Sequence, residues 1–140
     1  FDYWSVDTLC RAAANKLTDE EKNLYDSYKR ILHIARTEAA VSAGTFFDLM
    51  YVNGHLSRQY VFLRKLEKDL LLVVANFDDH DATVDISIPA HAFDYLKMAE
   101  KKVVAHDLLT KDSLAVLLKR DGGIRMDIPA NGGRVWKLKV

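Results

Sequence analysis

The spacing of apolar positions changes once along this chain. From Asp19 to about Ser42, Leu24, Tyr28, Ile31, Leu32, Ala35 and Ala39 recur at intervals of three and four, one apolar stripe on a helix. Thr18 and Glu21 bracket its start as a capping box, and Gly44 marks its stop. Ahead of it, Asp7 stands as an N-cap to the alanine-rich stretch Thr8–Leu17, which predicts a first helix. From Thr45 the period falls to two. Thr45–Val52 reads as a first strand closed by Asn53-Gly54. The unbroken run Leu70–Phe77 predicts a strand buried on both faces. Arg58–Leu66 before it and Thr83–Ile88 after it are expected to flank it as a three-strand meander. A short helix is predicted around Ala92–Met98, then strands at Val103–Leu109, Leu114–Lys119, Ile124–Ile128 and Arg134–Val140. Asp121-Gly122 between two of these runs signals a hairpin. In the last strand Trp136, Leu138 and Val140 share a core face, leaving Arg134, Lys137 and Lys139 largely solvated.

The elements add up to a mainly β fold: an eight-stranded antiparallel Greek-key β-sandwich preceded by two α-helices. The division falls near Gly44, with a helical segment at 1–44 and the sandwich at 45–140. Composition permits this, since 49% of the 140 residues are apolar, enough for a core. Lys+Arg and Asp+Glu both number 20, which leaves no net field to draw the chain to nucleic acid or an anionic membrane. No apolar run approaches the roughly 20 residues of a membrane span, and no signal peptide is legible. The sequence opens Phe1-Asp2-Tyr3-Trp4 without Met, which reads as a processed or excised piece.

Candidate chemistry is sparse. The lone Cys10 excludes an internal disulfide and a cysteine-rich zinc site, and is expected to be a buried small apolar residue. Asp78-Asp79-His80-Asp81 lacks the Gly and distal Glu of a helix-loop-helix calcium loop, and reads as a solvated turn. His33, His55, His80, His91 and His106 show no paired ligand spacing. The acidic residues fall on helix surfaces and in turns, with none marked by an apolar surround and a nearby carboxylate on a facing element as an acid–base pair would be. No catalytic, metal or cofactor residue is assigned.

Three stretches together resemble the C-terminal end of an α-amylase-type glycoside hydrolase, glycoside hydrolase family 13. Tyr28–Asp48 (YKRILHIARTEAAVSAGTFFD) is similar to the last helix of the family's (β/α)8 barrel with the first strand of the following sandwich, domain C. Tyr60–Pro89, with its LLVVANF centre, is similar to the strand pair that follows. Asp107–Lys111 (DLLTK) and Asp127–Val140 are similar to the closing strands. The resemblance implies a structural domain that packs on a catalytic barrel of the same parent chain, an enzyme acting on α-glucans by hydrolysis or transfer. The family's three catalytic carboxylates lie on barrel strands that would precede Phe1, so none maps onto this chain and it should be inactive alone.

A rival function is a carbohydrate-binding module for starch or another α-glucan. It would need two exposed coplanar rings on a sheet face with amide or carboxylate neighbours. Tyr3 and Trp4 are kept as candidate substrate-binding residues, beside Tyr51, Tyr60, Tyr95 and Trp136. A third reading is an unrelated protein-interaction domain. Whatever its origin, an apolar helical face around Tyr3, Trp4, Leu9 and Leu24 is expected to permit self-association.

Overall fold

The computed structural model describes Cys10 and residues 16–140. Most of the first predicted helix, Thr8–Leu17, and the candidates Tyr3 and Trp4 lie outside the described residues; Lys16 and Leu17, at its expected end, are not helical. The chain divides into two compact units, 1–37 and 38–140.

Helix α1, Asp19–Thr37, belongs to the first unit. Its start follows the predicted capping box: the Thr18 amide donates to Glu21 Oε1 and the Glu21 amide to Thr18 Oγ1, both at 3.2 Å. Asp19, Glu20 and Glu21 in its first turn and Arg36 in its last complement the helix dipole. The helix does not run to Ser42 as expected. The Thr37 hydroxyl folds back onto the His33 carbonyl at 2.8 Å, and Glu38 is extended at φ −94°, ψ 101°. Side-chain hydrogen bonds of this kind bend and end helices. A short helix α2, Ala39–Ala43, follows in the second unit. Gly44 closes it because a Cβ there would run into the Ala40 carbonyl.

The second unit contains eight strands: β1 Thr45–Asp48, β2 Gln59–Leu66, β3 Asp69–Asn76, β4 Ala82–Ile88, β5 Lys101–Asp107, β6 Ser113–Leu118, β7 Gly122–Ile128 and β8 Gly133–Lys139. Helix α3, Ala90–Leu96, separates β4 from β5. All pairings are antiparallel. One sheet has the order β1-β2-β3-β8-β5-β6, and the other contains β4 and β7. The predicted mainly β fold of eight strands after a helix is therefore present.

Three local expectations fail for physical reasons. Strand β1 stops at Asp48, four residues short, because the Asp48 carboxylate takes the Met50 amide at 3.1 Å and starts a 3-10 turn at Met50–Val52. The meander is broken, since β3 pairs with β2 and β8 while β4 crosses to the second sheet and pairs with β7. An alternating strand of the facing sheet has the same pattern as a neighbour in the same sheet. The Asp121-Gly122 hairpin does not form either. Its turn is present, with Asp121 in the left-handed region at φ 57°, but β6 and β7 go to different sheets. Asp121 holds them apart: its amide donates to Ile88 O at 3.0 Å, and its carboxylate takes the first amide of α3, on Ala90, at 2.9 Å.

The two sheets enclose one core. Leu70, Leu72 and Val74 of β3 and Trp136 and Leu138 of β8 belong to the same buried cluster as Val84, Ile86 and Ile88 of β4, Ile124, Met126 and Ile128 of β7, and Ala92, Phe93 and Leu96 of α3. Leu71, on the opposite face of β3, is also fully buried. Beside it on β2, Arg64 donates to Ala40 O at 3.0 Å and Gly44 O at 2.9 Å, tying α2 over that face. The run is thus buried on both faces only at Leu70–Leu72; on the outer face Val73 and Ala75 are half-buried, and Phe77, past the end of the strand, is 73% exposed, contrary to the expected burial.

Candidate functional site

The polar groups that the second unit buries are structural clamps. Asn53, Asn76 and Asp107 are its buried polar residues, and each makes several hydrogen bonds, as burial requires. Asn53 lies just past the 3-10 turn. Its Nδ2 donates to Leu49 O at 2.8 Å and Ser87 O at 3.0 Å, while its Oδ1 takes the Ser87 amide at 2.8 Å. One carboxamide therefore replaces a strand neighbour for β4. Asn76, at the end of β3, donates to His80 O and Pro129 O, both at 3.1 Å. Its Oδ1 accepts from the Asp78 amide and Gln59 Nε2, both at 3.0 Å. It ties together the two turns at that end of the sandwich.

Asp107, at the end of β5, is the buried carboxylate. It accepts from the amides of Leu109 (3.0 Å) and Val135 (3.2 Å), the Thr110 hydroxyl (2.9 Å) and Arg134 Nη1 (3.0 Å). The same Nη1 reaches Asp112 Oδ2 at 2.8 Å, and Arg134 Nε donates to Asp127 O at 3.1 Å. Arg134 is not solvated as the alternation implied: its side chain is 15% exposed, and it lies over the Trp136 ring at 5.5 Å. Hydrogen bonds from Arg134 and Thr110 hold the Asp112 carboxyl below its usual range. Burial works against the charge on Arg134, and its bonds to Asp112 and Asp107 outweigh it, raising its pKa further. Asp107 thus spends both oxygens on the backbone, the hydroxyl and the guanidinium that shape this turn. Lys137 is likewise drawn in, to Glu38 Oε2 at 2.7 Å. Lys139 remains solvated, as expected, while bonding Asp69.

Beside this network an open groove of about 440 Å³ runs between the start of β6 and the end of β7. Thr83, Arg125, Asp127 and Arg134 line it over a floor that includes Met126 and Trp136. Its charges are partnered: the Thr83 hydroxyl donates to Asp127 at 2.6 Å, and Arg125 reaches Asp85 at 3.9 Å. The turn after β3 brings Asp78, Asp79 and His80 together, with ligand atoms within 4.8 Å of one another. His80 Nδ1 already meets Asp79 Oδ1 at 2.6 Å, and Arg58 faces Asp78 at 3.4 Å. Those three side chains, of which Asp79 and His80 are exposed, fall short of the six to eight oxygens that a calcium ion takes.

The aromatic candidates separate. Trp136 is core, 5% exposed, with its Nε1–H on Met126 Sδ at 3.2 Å. Tyr60 shares an outer sheet face with Phe62, as its spacing predicts, and Phe46 completes a row with ring centroids 5.3–5.7 Å apart. Tyr51, His91 and Tyr95 ring Phe47 in a second, exposed cluster, at 5.8–6.2 Å from its centroid. Ring planes in both groups tilt by 37–56°, so neither is the coplanar platform that a pyranose-stacking site would present. Spacing missed the second cluster because it draws on a strand, a 3-10 turn and a helix. Cys10 is exposed, contrary to the expected burial; apolar character buries a thiol only where a core receives it.

No protein-family model matches the sequence, and no curated protein matches it. Solved structures do. The α-amylase of Geobacillus thermoleovorans, a complex with acarbose, matches over 88% of this chain at 16% identity and a TM-score of 0.63. A maltogenic α-amylase of Thermotoga neapolitana matches over 83% at 10% identity and a TM-score of 0.62. The trehalulose synthase of Pseudomonas mesoacidophila matches over 80% at 19% identity and a TM-score of 0.51. The chain spans 24%, 25% and 17% of those three chains. The likeness first read from the sequence holds at the level of fold: this chain folds like one part of an α-amylase-type glycoside hydrolase.

Proposed function

We propose that this chain is the non-catalytic C-terminal structural domain of an α-amylase-type glycoside hydrolase active on α-glucans, which packs on the enzyme's catalytic barrel and stabilises it. In this reading residues 1–44 are the end of the barrel and 45–140 are domain C. The observation that supports it most is the apolar stripe of α1. Leu24, Tyr28, Ile31 and Leu32 stand on one helix and are all exposed, Tyr28 by 60% and Leu32 by 66%. A helix with such a stripe belongs against another layer, and each Å² it covers contributes about 25 cal/mol. The fold likeness over a small share of much longer α-amylase chains supports the same assignment. Asp107, Arg134 and Asp112 fit a scaffold too, since they brace the turns at one end of the sandwich.

The test has two arms. The chain alone is expected to release no reducing ends from soluble starch and to migrate unretarded through a starch-containing gel. In the longer enzyme, Tyr28→Glu combined with Leu32→Glu is expected to lower the Tm by several degrees while leaving kcat/KM unchanged. Starch hydrolysis by the chain alone would overturn the proposal. Retardation by starch would transfer it to the rival reading, a carbohydrate-binding module, with Tyr51 and Tyr95 as the first rings to mutate.

A further inference from the structure

Proteins protect the edges of their sheets, because an edge offers unpaired N–H and C=O groups to any passing strand. Most edges of this fold are protected. Strand β1 is four residues long and turns away at Asp48. The edge of β4 is covered by side chains: Asn53 takes both backbone groups of Ser87, and His55 Nε2 meets Asp85 O at 2.8 Å. Strand β7 carries Arg125 and Asp127, and Arg134 occupies the Asp127 carbonyl.

Strand β6 has none of these devices. Its six residues, SLAVLL, include no charge and no proline, and it ends the six-stranded sheet with β5 as its partner. The amide of Asp107 donates to Asp112 O at 2.8 Å. With the pairs Ala105↔Leu114, Val103↔Val116 and Lys101↔Leu118, this phases the ladder. Leu114, Val116 and Leu118 turn their backbone groups toward β5, and Ser113, Ala115 and Leu117 turn theirs to the open edge. The same three residues are exposed, and Leu117 (53%) lies on one face with Val104 (50%).

We propose that this edge is a self-association surface, at which a second copy of the chain adds its own β6 antiparallel about a two-fold axis at Val116. In that register Leu117 of each copy lies opposite Ala115 of the other, and those residues exchange main-chain hydrogen bonds. Leu114 faces Leu118 and Val116 faces its own copy, so apolar side chains meet along the pairing of this uncharged strand. A shift of one residue per strand, with Ala115 on the axis, sets Leu117 against Ser113 and Leu118 against Asp112, apolar against polar, and is disfavoured. The two Val104–Leu117 patches become continuous across the axis. The surface lies in the second unit and is independent of the barrel-facing role proposed for α1.

Sedimentation velocity with rising concentration tests this, together with residue-resolved amide exchange. Dimers are expected, with the Ala115 and Leu117 amides gaining protection as they form. Leu117→Lys, at an exposed position, is expected to weaken association by roughly tenfold or more, because it buries a charge against Ala115. Ala115→Glu is expected to weaken it similarly, and mixing the two variants restores it by setting Lys against Glu. Tyr28→Glu on α1 should change nothing. A monomer at all concentrations, dimers without protection of those amides, or dimers lost in Tyr28→Glu but kept in Leu117→Lys would each overturn the proposal.

Discussion

At the scale of single residues, the chain's chemistry is spent on holding turns. Asp107 saturates its oxygens with two amides, a hydroxyl and Arg134, and Arg134 reaches on to Asp112. This has a consequence in acid. The Asp112 carboxyl is held below its ordinary range by Arg134 and Thr110, and that of Asp69 by Lys139. A carboxyl with a lower pKa folded than unfolded contributes stability above its unfolded value, about 3.9. That contribution is lost as pH falls through the folded value. The chain is therefore expected to hold its stability from neutral pH down to about 4 and to lose it steadily below. Urea midpoints measured against pH check this. Asp112→Asn is expected to flatten the acid side of the curve, and an unchanged slope would show that the Arg134 network contributes nothing there.

At the scale of elements, alternation located every strand but did not choose its neighbours. Val84, Ile86 and Ile88 are buried as their spacing requires, yet they point into the core from the second sheet and not from the side of β3. What selects the partner is remote. Asn53 stands where β4 would otherwise need another strand, and Asp121 separates β6 from β7 at their shared turn. Asn53→Ala removes three hydrogen bonds and leaves both backbone groups of Ser87 unsatisfied. The expected loss is about 3 kcal/mol, read from urea unfolding, with amide exchange fastest along β4. A loss within about 0.5 kcal/mol, the size of an ordinary surface change, would show that water replaces the carboxamide freely.

At the scale of the whole molecule, the boundary lies where a hydroxyl and an extended glutamate interrupt the helix, between Thr37 and Glu38. The second unit contains the entire sandwich core, and Glu38 is anchored within it by Lys137. Residues 38–140 alone are therefore expected to unfold cooperatively, with a Tm within about 5 °C of the full chain, a shift worth about 1 kcal/mol in a domain of this size. Calorimetry of the truncated chain checks this; a broad, non-cooperative transition would show that the sandwich depends on the first unit.

Period and punctuation alone determined the class of fold: the capped helix, eight strands and a central strand at the heart of the sheet. These are properties of neighbouring residues, and burial of one face is encoded by spacing. Trp136 as core was legible on the same grounds. The resemblance to an α-amylase-type enzyme was also legible, from the order of motifs. Tertiary structure alone decided which sheet β4 joins, that Arg134 is clamped and not solvated, that Tyr51, His91 and Tyr95 gather around Phe47, and that β6 is left with an open edge. Each depends on groups far apart in sequence meeting in space. An alternating strand records which face is buried but carries no mark of the strand or side chain that will cover its edge.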